Sequence, residues 1–120
     1  MQKLAKREEQ IMQACWHLEK AFIKEIIAEL PEPKPHYNSV ATMVRILEEK
    51  GFLDHETFGN TFRYFPVVSK EQYQKHAFED IVRQYFNNSY PSMLAYFAKE
   101  QKISREEMNE ILEIIKSQKK

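Results

Sequence analysis

The stretch from Asn38 to Val68, NSVATMVRILEEKGFLDHETFGNTFRYFPVV, changes its period part-way along, and that change decides the fold. From Asn38 to Lys50, the residues Val40, Met43, Val44 and Leu47 recur at i, i+3, i+4 and i+7, the spacing of one buried helical stripe. Gly51 follows where a left-handed glycine would stop that helix. Beyond it, Phe52–Phe58 and Thr61–Val68 are rich in aromatic and β-branched residues, with the turn dipeptide Gly59-Asn60 between them. This predicts a two-stranded hairpin. A lone hairpin is marginal in water, so it has to pack on neighbouring helices.

Those helices are legible on both sides. Upstream, Leu4, Ile11, Met12, Cys15 and Trp16 share one face of a helix over 4–18. Ile23, Ile26, Ile27 and Leu30 stripe a second over 22–30, which Pro31, Pro33 and Pro35 end. Downstream, Ser69-Lys70-Glu71-Gln72 is a capping box opening a helix to about Asn87. A short helix over 91–99 follows, and Ser104-Arg105-Glu106-Glu107 opens a last one to about Gln118. The expected fold is therefore mainly α with a small β-hairpin. Residues 1–68 form a winged helix-turn-helix, and residues 69–120 form a three-helix dimerisation domain.

Composition removes most other classes. The chain has 120 residues, with 18 Lys plus Arg against 18 Asp plus Glu, so no polybasic tail is present. A local basic patch is still compatible with that balance, because binding depends on where charges sit. Two glycines, Gly51 and Gly59, are too few and too far apart for a phosphate-cradling loop. Cys15 is the single cysteine, which excludes an internal disulfide and a CxxC pair. His17, His36, His55 and His76 make no ligand pair such as HxxxH, and no nucleophile-elbow or HExxH spacing occurs. No enzyme, cofactor or metal site is expected. No apolar run approaches the roughly 20 residues that span a bilayer. Met1–Gln10 lacks the apolar segment of a secretory signal, so a cytoplasmic location is expected.

The order helix, helix, helix, hairpin makes the third helix a recognition helix and the hairpin a wing. With its apolar stripe turned inward, that helix presents Asn38, Thr42 and Arg45 outward, with Ser39 and Ala41 flanking them. Small polar side chains let a helix approach base edges, and arginine reads bases or holds phosphate. Lys34 and His36, just ahead, are candidates for backbone phosphate. His55, Asn60, Thr61 and Arg63 are the wing's candidates, Arg63 foremost.

The last 52 residues carry more apolar surface than so short a segment can bury alone. Phe78, Ile81, Val82, Tyr85 and Phe86 form a wide arc on the fourth helix, with Met93, Leu94 and Phe97 on the fifth. Ile111, Leu112 and Ile115 stripe the last. A two-fold homodimer through these residues would set two recognition helices roughly 34 Å apart, one turn of DNA.

Taken together, these residues resemble the penicillinase-repressor family of BlaI/MecI type. The resemblance rests on Arg7-Glu8-Glu9-Gln10-Ile11-Met12 with Trp16, on Phe22-Ile23-Lys24-Glu25-Ile26-Ile27, and above all on the run from His36 to Leu53. A weaker part includes Tyr85-Phe86-Asn87-Asn88-Ser89 and Ser92-Met93-Leu94. The resemblance implies a dimeric repressor of transcription on palindromic double-stranded operator DNA. It implies that Ser39, Ala41 and Thr42 face the operator, although several relatives carry Arg or Gln at the position of Ala41. In antibiotic-responsive members a regulatory protease cuts between asparagine and phenylalanine. The matching bond here is Tyr96–Phe97, with tyrosine in the asparagine's place. A copper-responsive branch uses a cysteine-rich motif that this chain lacks. The family's usual capping threonine before the first helix is Ala5 here, which weakens that helix by about 1 kcal/mol. The competing reading is a protein–protein module on a winged-helix scaffold, without sequence-specific DNA binding.

Overall fold

The computed structural model describes residues 1–118, except the side chains of Ile115 and Gln118. Its elements run α1 (Lys6–Leu18), α2 (Ile23–Glu29), α3 (Tyr37–Glu49), β1 (Leu53–Phe58), β2 (Thr61–Pro66), α4 (Lys70–Tyr85), α5 (Tyr90–Lys99) and α6 (Arg105–Gln118). The fold is mainly helical with one antiparallel hairpin, as the change of period predicts.

Gly51 ends α3 at φ +85°, a conformation that L side chains rarely adopt. The Gly51 amide donates to the Glu48 carbonyl and the Phe52 amide to the Leu47 carbonyl, the paired bonds of a Schellman motif. The chain then reverses into β1. Leu53 pairs with Pro66 and Phe58 with Thr61, leaving Gly59 and Asn60 as the two-residue turn. Gly59 also has positive φ, +55°, which suits the tight hairpin turn that matches strand twist. The wing does not stand alone. Between α1 and α2, Ala21 and Tyr64 exchange both backbone hydrogen bonds at 2.8 Å, adding a short third rung to the sheet.

The helix starts follow local chemistry. Ser69 Oγ accepts from the Gln72 amide, and Gln72 Oε1 accepts from the Ser69 amide, completing the expected box. Ser104 and Glu107 do the same for α6. At α1, Ala5 has no side-chain oxygen to offer, yet Glu8 still accepts from its amide at 2.9 Å. Half of the capping box therefore survives the missing threonine.

The core of the first unit gathers Ile11, Met12 and Cys15 of α1 with Ile26 of α2 and Val40, Val44 and Leu47 of α3. Phe52, Leu53, Tyr64 and Tyr73 close it. Burial pushes the Cys15 thiol up to about 12, so it is an inert structural thiol. Trp16 donates its indole N–H to the Val68 carbonyl at 2.9 Å, tying α1 to the chain leaving the wing.

Sequence reading ends the first domain at 68. In the structure the compact units divide between Ala77 and Phe78, inside α4. The reason is Tyr73, which is buried in the first core and donates its hydroxyl to Glu9 at 2.8 Å, with Ala77 packed against the same core. The second unit buries little: Val82 and Met93 are its buried apolar residues among those described. Phe86 half-buries against Tyr96 and Phe97, with ring centroids 5.7 and 6.3 Å away.

Candidate nucleic-acid interface

Helix α3 turns Val40, Val44 and Leu47 into the core and leaves Asn38, Ser39, Thr42 and Arg45 exposed. The outward face is as the 100° rule places it. Ala41 differs: it is half-buried and packs on the core, so it can offer only a methyl edge. Thr42 donates its hydroxyl back to the Asn38 carbonyl at 2.9 Å, which leaves its oxygen lone pairs and methyl to face outward.

The start of α3 has an unusual electrostatic character. Helices α1, α2, α4 and α6 each carry a carboxylate in the first turn; α3 and α5 carry none, but α5 is capped by Ser89, whose hydroxyl oxygen accepts from the Ser92 amide. The N-cap of α3, His36, is exposed and makes no side-chain cap. The first-turn amides and the positive end of the helix are thus unneutralised, which is the condition for receiving a phosphate.

Helix and wing share one open cleft. Tyr37, Ala41 and Arg45 line it from α3, and Asn60, Thr61, Phe62 and Tyr64 line it from the hairpin. Tyr37 was not singled out by the sequence reading. Its 47% exposure at the head of α3 and its place in this cleft make it a contact candidate, signalled only by an aromatic residue beside the polar run.

Two basic candidates are engaged elsewhere. The Lys34 ammonium donates to the carbonyls of Ala28 and Leu30, so it caps the end of α2. Arg63 lies with its guanidinium carbon 5.8 Å from the Phe22 ring centroid and 5.7 Å from that of Phe58. Its Nε is buried without a hydrogen-bond partner. Arg63 therefore stiffens the wing against α2, and what it offers a phosphate is the rim of its guanidinium. His55 Nδ1 is paired with Glu48 at 2.8 Å, and Asn60 and Thr61 are exposed at the tip.

In the second unit, Phe78, Ile81, Tyr85 and Leu112 are exposed, the last three at 45%, 74% and 46%. Phe86, Leu94, Phe97 and Ile111 are half-buried, while Val82 and Met93 are buried. The Ile115 side chain lies outside the described residues. Tyr96 and Phe97 both sit inside α5, Tyr96 half exposed. No helix among the described residues is long and apolar enough to cross a membrane.

The sequence matches the family model for the penicillinase repressor across residues 4–117. The chain belongs to the penicillinase-repressor family. The penicillinase repressor of Bacillus licheniformis is 25% identical over 98% of this chain and 92% of its own length. The methicillin resistance regulatory protein MecI of Staphylococcus aureus strain N315 is 20% identical over 94% of this chain and 93% of its own. A solved CopR repressor structure aligns with 57% of this chain and all of its own, at 29% identity and a TM-score of 0.47. Penicillinase-repressor membership places the chain among DNA-binding transcriptional repressors and not among enzymes.

Proposed function

We propose that this repressor is a two-fold homodimer that occupies a palindromic operator. In this reading α3 enters the major groove and the wing follows the flanking backbone. The observation that carries it is the α3 surface: Asn38, Ser39, Thr42 and Arg45 exposed together, behind a helix start with neither carboxylate nor side-chain cap. Arg45 is the base reader, because it stands exposed beside the cleft shared with the wing tip. Ser39, the His36 imidazole and the first-turn amides hold phosphate, and Asn60, Thr61 and the Arg63 rim hold the backbone beyond.

Dimerisation falls to the second unit. A segment that buries Val82 and Met93 and leaves Phe78, Ile81, Tyr85 and Leu112 exposed has an apolar surface suited to a second copy. Repression then works by steric occupancy, in the cytoplasm where the operator is. Release by cutting Tyr96–Phe97 requires α5 to open locally, since a protease takes its substrate in extended form.

The test is selection of bound sequences from random DNA, followed by gel-shift titration. A palindrome with half-sites about one helical turn apart is expected. Arg45→Ala should lose about 1–3 kcal/mol and relax preference at one base pair of each half-site. Recovery of no common sequence, with salt-independent binding, refutes the reading and favours a protein–protein module.

A further inference from the structure

We propose that Glu48, Asp54 and His55 form a binding site for one divalent first-row transition-metal ion, of which Zn2+ is the type. Glu48 lies in the last turn of α3, and the reversal at Gly51 returns β1 past it. One ligand atom from each of the three residues then falls within 4.8 Å of the other two. His55 Nδ1 and Glu48 Oε1 are 2.8 Å apart. Two donors bound at about 2.1 Å to one ion are separated by about 3.0–3.4 Å, in octahedral and tetrahedral geometry respectively. The pair therefore needs to open by only a few tenths of an ångström.

The ring is already oriented. Phe62 and Tyr64 flank His55, with centroids 4.3 and 5.6 Å away, which limits its rotation. Among the described residues, neither Glu48 nor Asp54 has a Lys or Arg nitrogen within the 4.0 Å of an ion pair. Two carboxylates thus converge on an imidazole without a permanent cation between them, and a divalent ion supplies that charge. One nitrogen and two oxygens suit Zn2+ or Co2+ better than Mg2+, which prefers oxygen alone. The Glu48 and His55 side chains are 29% and 27% exposed, so water can complete the coordination sphere. On binding, His55 gives Nδ1 to the ion and keeps its proton on Nε2. The competing account is the hydrogen bonds alone: Glu48 with the His55 ring at 2.8 Å, and Asp54 Oδ1 accepting from the His55 backbone amide at 2.8 Å. The spacing of histidines in the sequence passes over this site, because two of its ligands are carboxylates from different elements.

Metal-free full-length protein titrated with Co2+, followed by visible absorption, and with Zn2+, followed by calorimetry, tests it. One ion per chain is expected at micromolar concentration. His55→Gln, Glu48→Gln and Asp54→Asn should each weaken binding about tenfold or more. His17→Gln, which removes the other imidazole–carboxylate pair, should leave binding unchanged. Circular dichroism of each variant establishes that it is folded. Absence of saturable binding, or binding equally strong in folded His55→Gln, overturns the proposal. Equal loss in His17→Gln does so too. These readouts involve no DNA, so they stand or fall separately from operator binding.

Discussion

Glu8→Gln tests how α1 and the end of α3 are held together. The Glu8 carboxylate accepts from the Lys50 ammonium at 2.8 Å and from the Ala5 amide at 2.9 Å. Its side chain is 12% exposed and that of Lys50 is 24% exposed. Burial alone would push the carboxyl up, but the Lys50 hydrogen bond, the Ala5 amide and the Lys50 charge outweigh it and hold it below its ordinary value. Glutamine keeps an oxygen for Ala5 and removes the charge. The loss is then that of one charged hydrogen bond, reduced because Lys50 is partly solvated, or about 1–2 kcal/mol at neutral pH. A carboxyl whose folded-state value is depressed contributes stability that is full above its unfolded value, near 4.3, and is lost as pH falls through the lower folded value. The difference between wild type and Glu8→Gln should therefore be constant from pH 7 to about 5.5 and shrink below about 4. Trp16, the single tryptophan, sits in this unit and reports its urea unfolding by fluorescence. An unchanged midpoint at pH 7, or a difference that does not narrow in acid, refutes the account.

Gly51→Ala adds a Cβ that meets nothing within 4 Å, so its cost is the backbone strain at φ +85° alone. About 1 kcal/mol is expected in the same urea assay, with the hairpin intact. Tyr73→Phe removes the hydroxyl that donates to Glu9 and leaves a half-covered carboxylate without it, costing about 1–2 kcal/mol. Burial and then the Glu9 hydrogen bond push the Tyr73 phenol up to about 12. Its ultraviolet titration should accordingly lie above the ordinary phenol range near 10.

Much of the fold was legible because its signals are local. The stripe through Val40, Val44 and Leu47, the stop at Gly51, the Gly59-Asn60 turn and the two capping boxes each lie within a few residues of chain. What escaped depends on contacts between distant residues. Tyr73 reaches Glu9 across 64 positions, which moves the division of the chain into α4. Arg63 is drawn between Phe22 and Phe58, and Lys34 folds back on α2, so two cations legible as phosphate ligands have structural work. The exposed face of α3 follows from helical geometry alone. The meeting of Glu48, Asp54 and His55 depends on how β1 returns past the helix.

The zero net charge also acquires a structural meaning. The first 68 residues hold nine basic and ten acidic side chains, an unpromising ratio for binding a polyanion. Yet five of the ten acids are engaged locally: Glu8 with Lys50, Glu9 with Tyr73, Glu25 on the Phe22 amide, Glu29 with His17 and Glu56 with Lys20. From Tyr37 to Leu47, α3 carries none, its acids Glu48 and Glu49 being confined to the last turn. On the proposed reading, the exposed α3 face from Asn38 to Arg45 is cleared of negative charge by segregation, without an excess of positive charge. Long-range attraction grows with net charge, whereas discrimination grows with placed contacts. On the proposed dimeric reading, such a chain gains little from sliding on arbitrary DNA and depends on two correctly spaced α3 helices, so its grip on an operator is set by the dimer as much as by any single arginine.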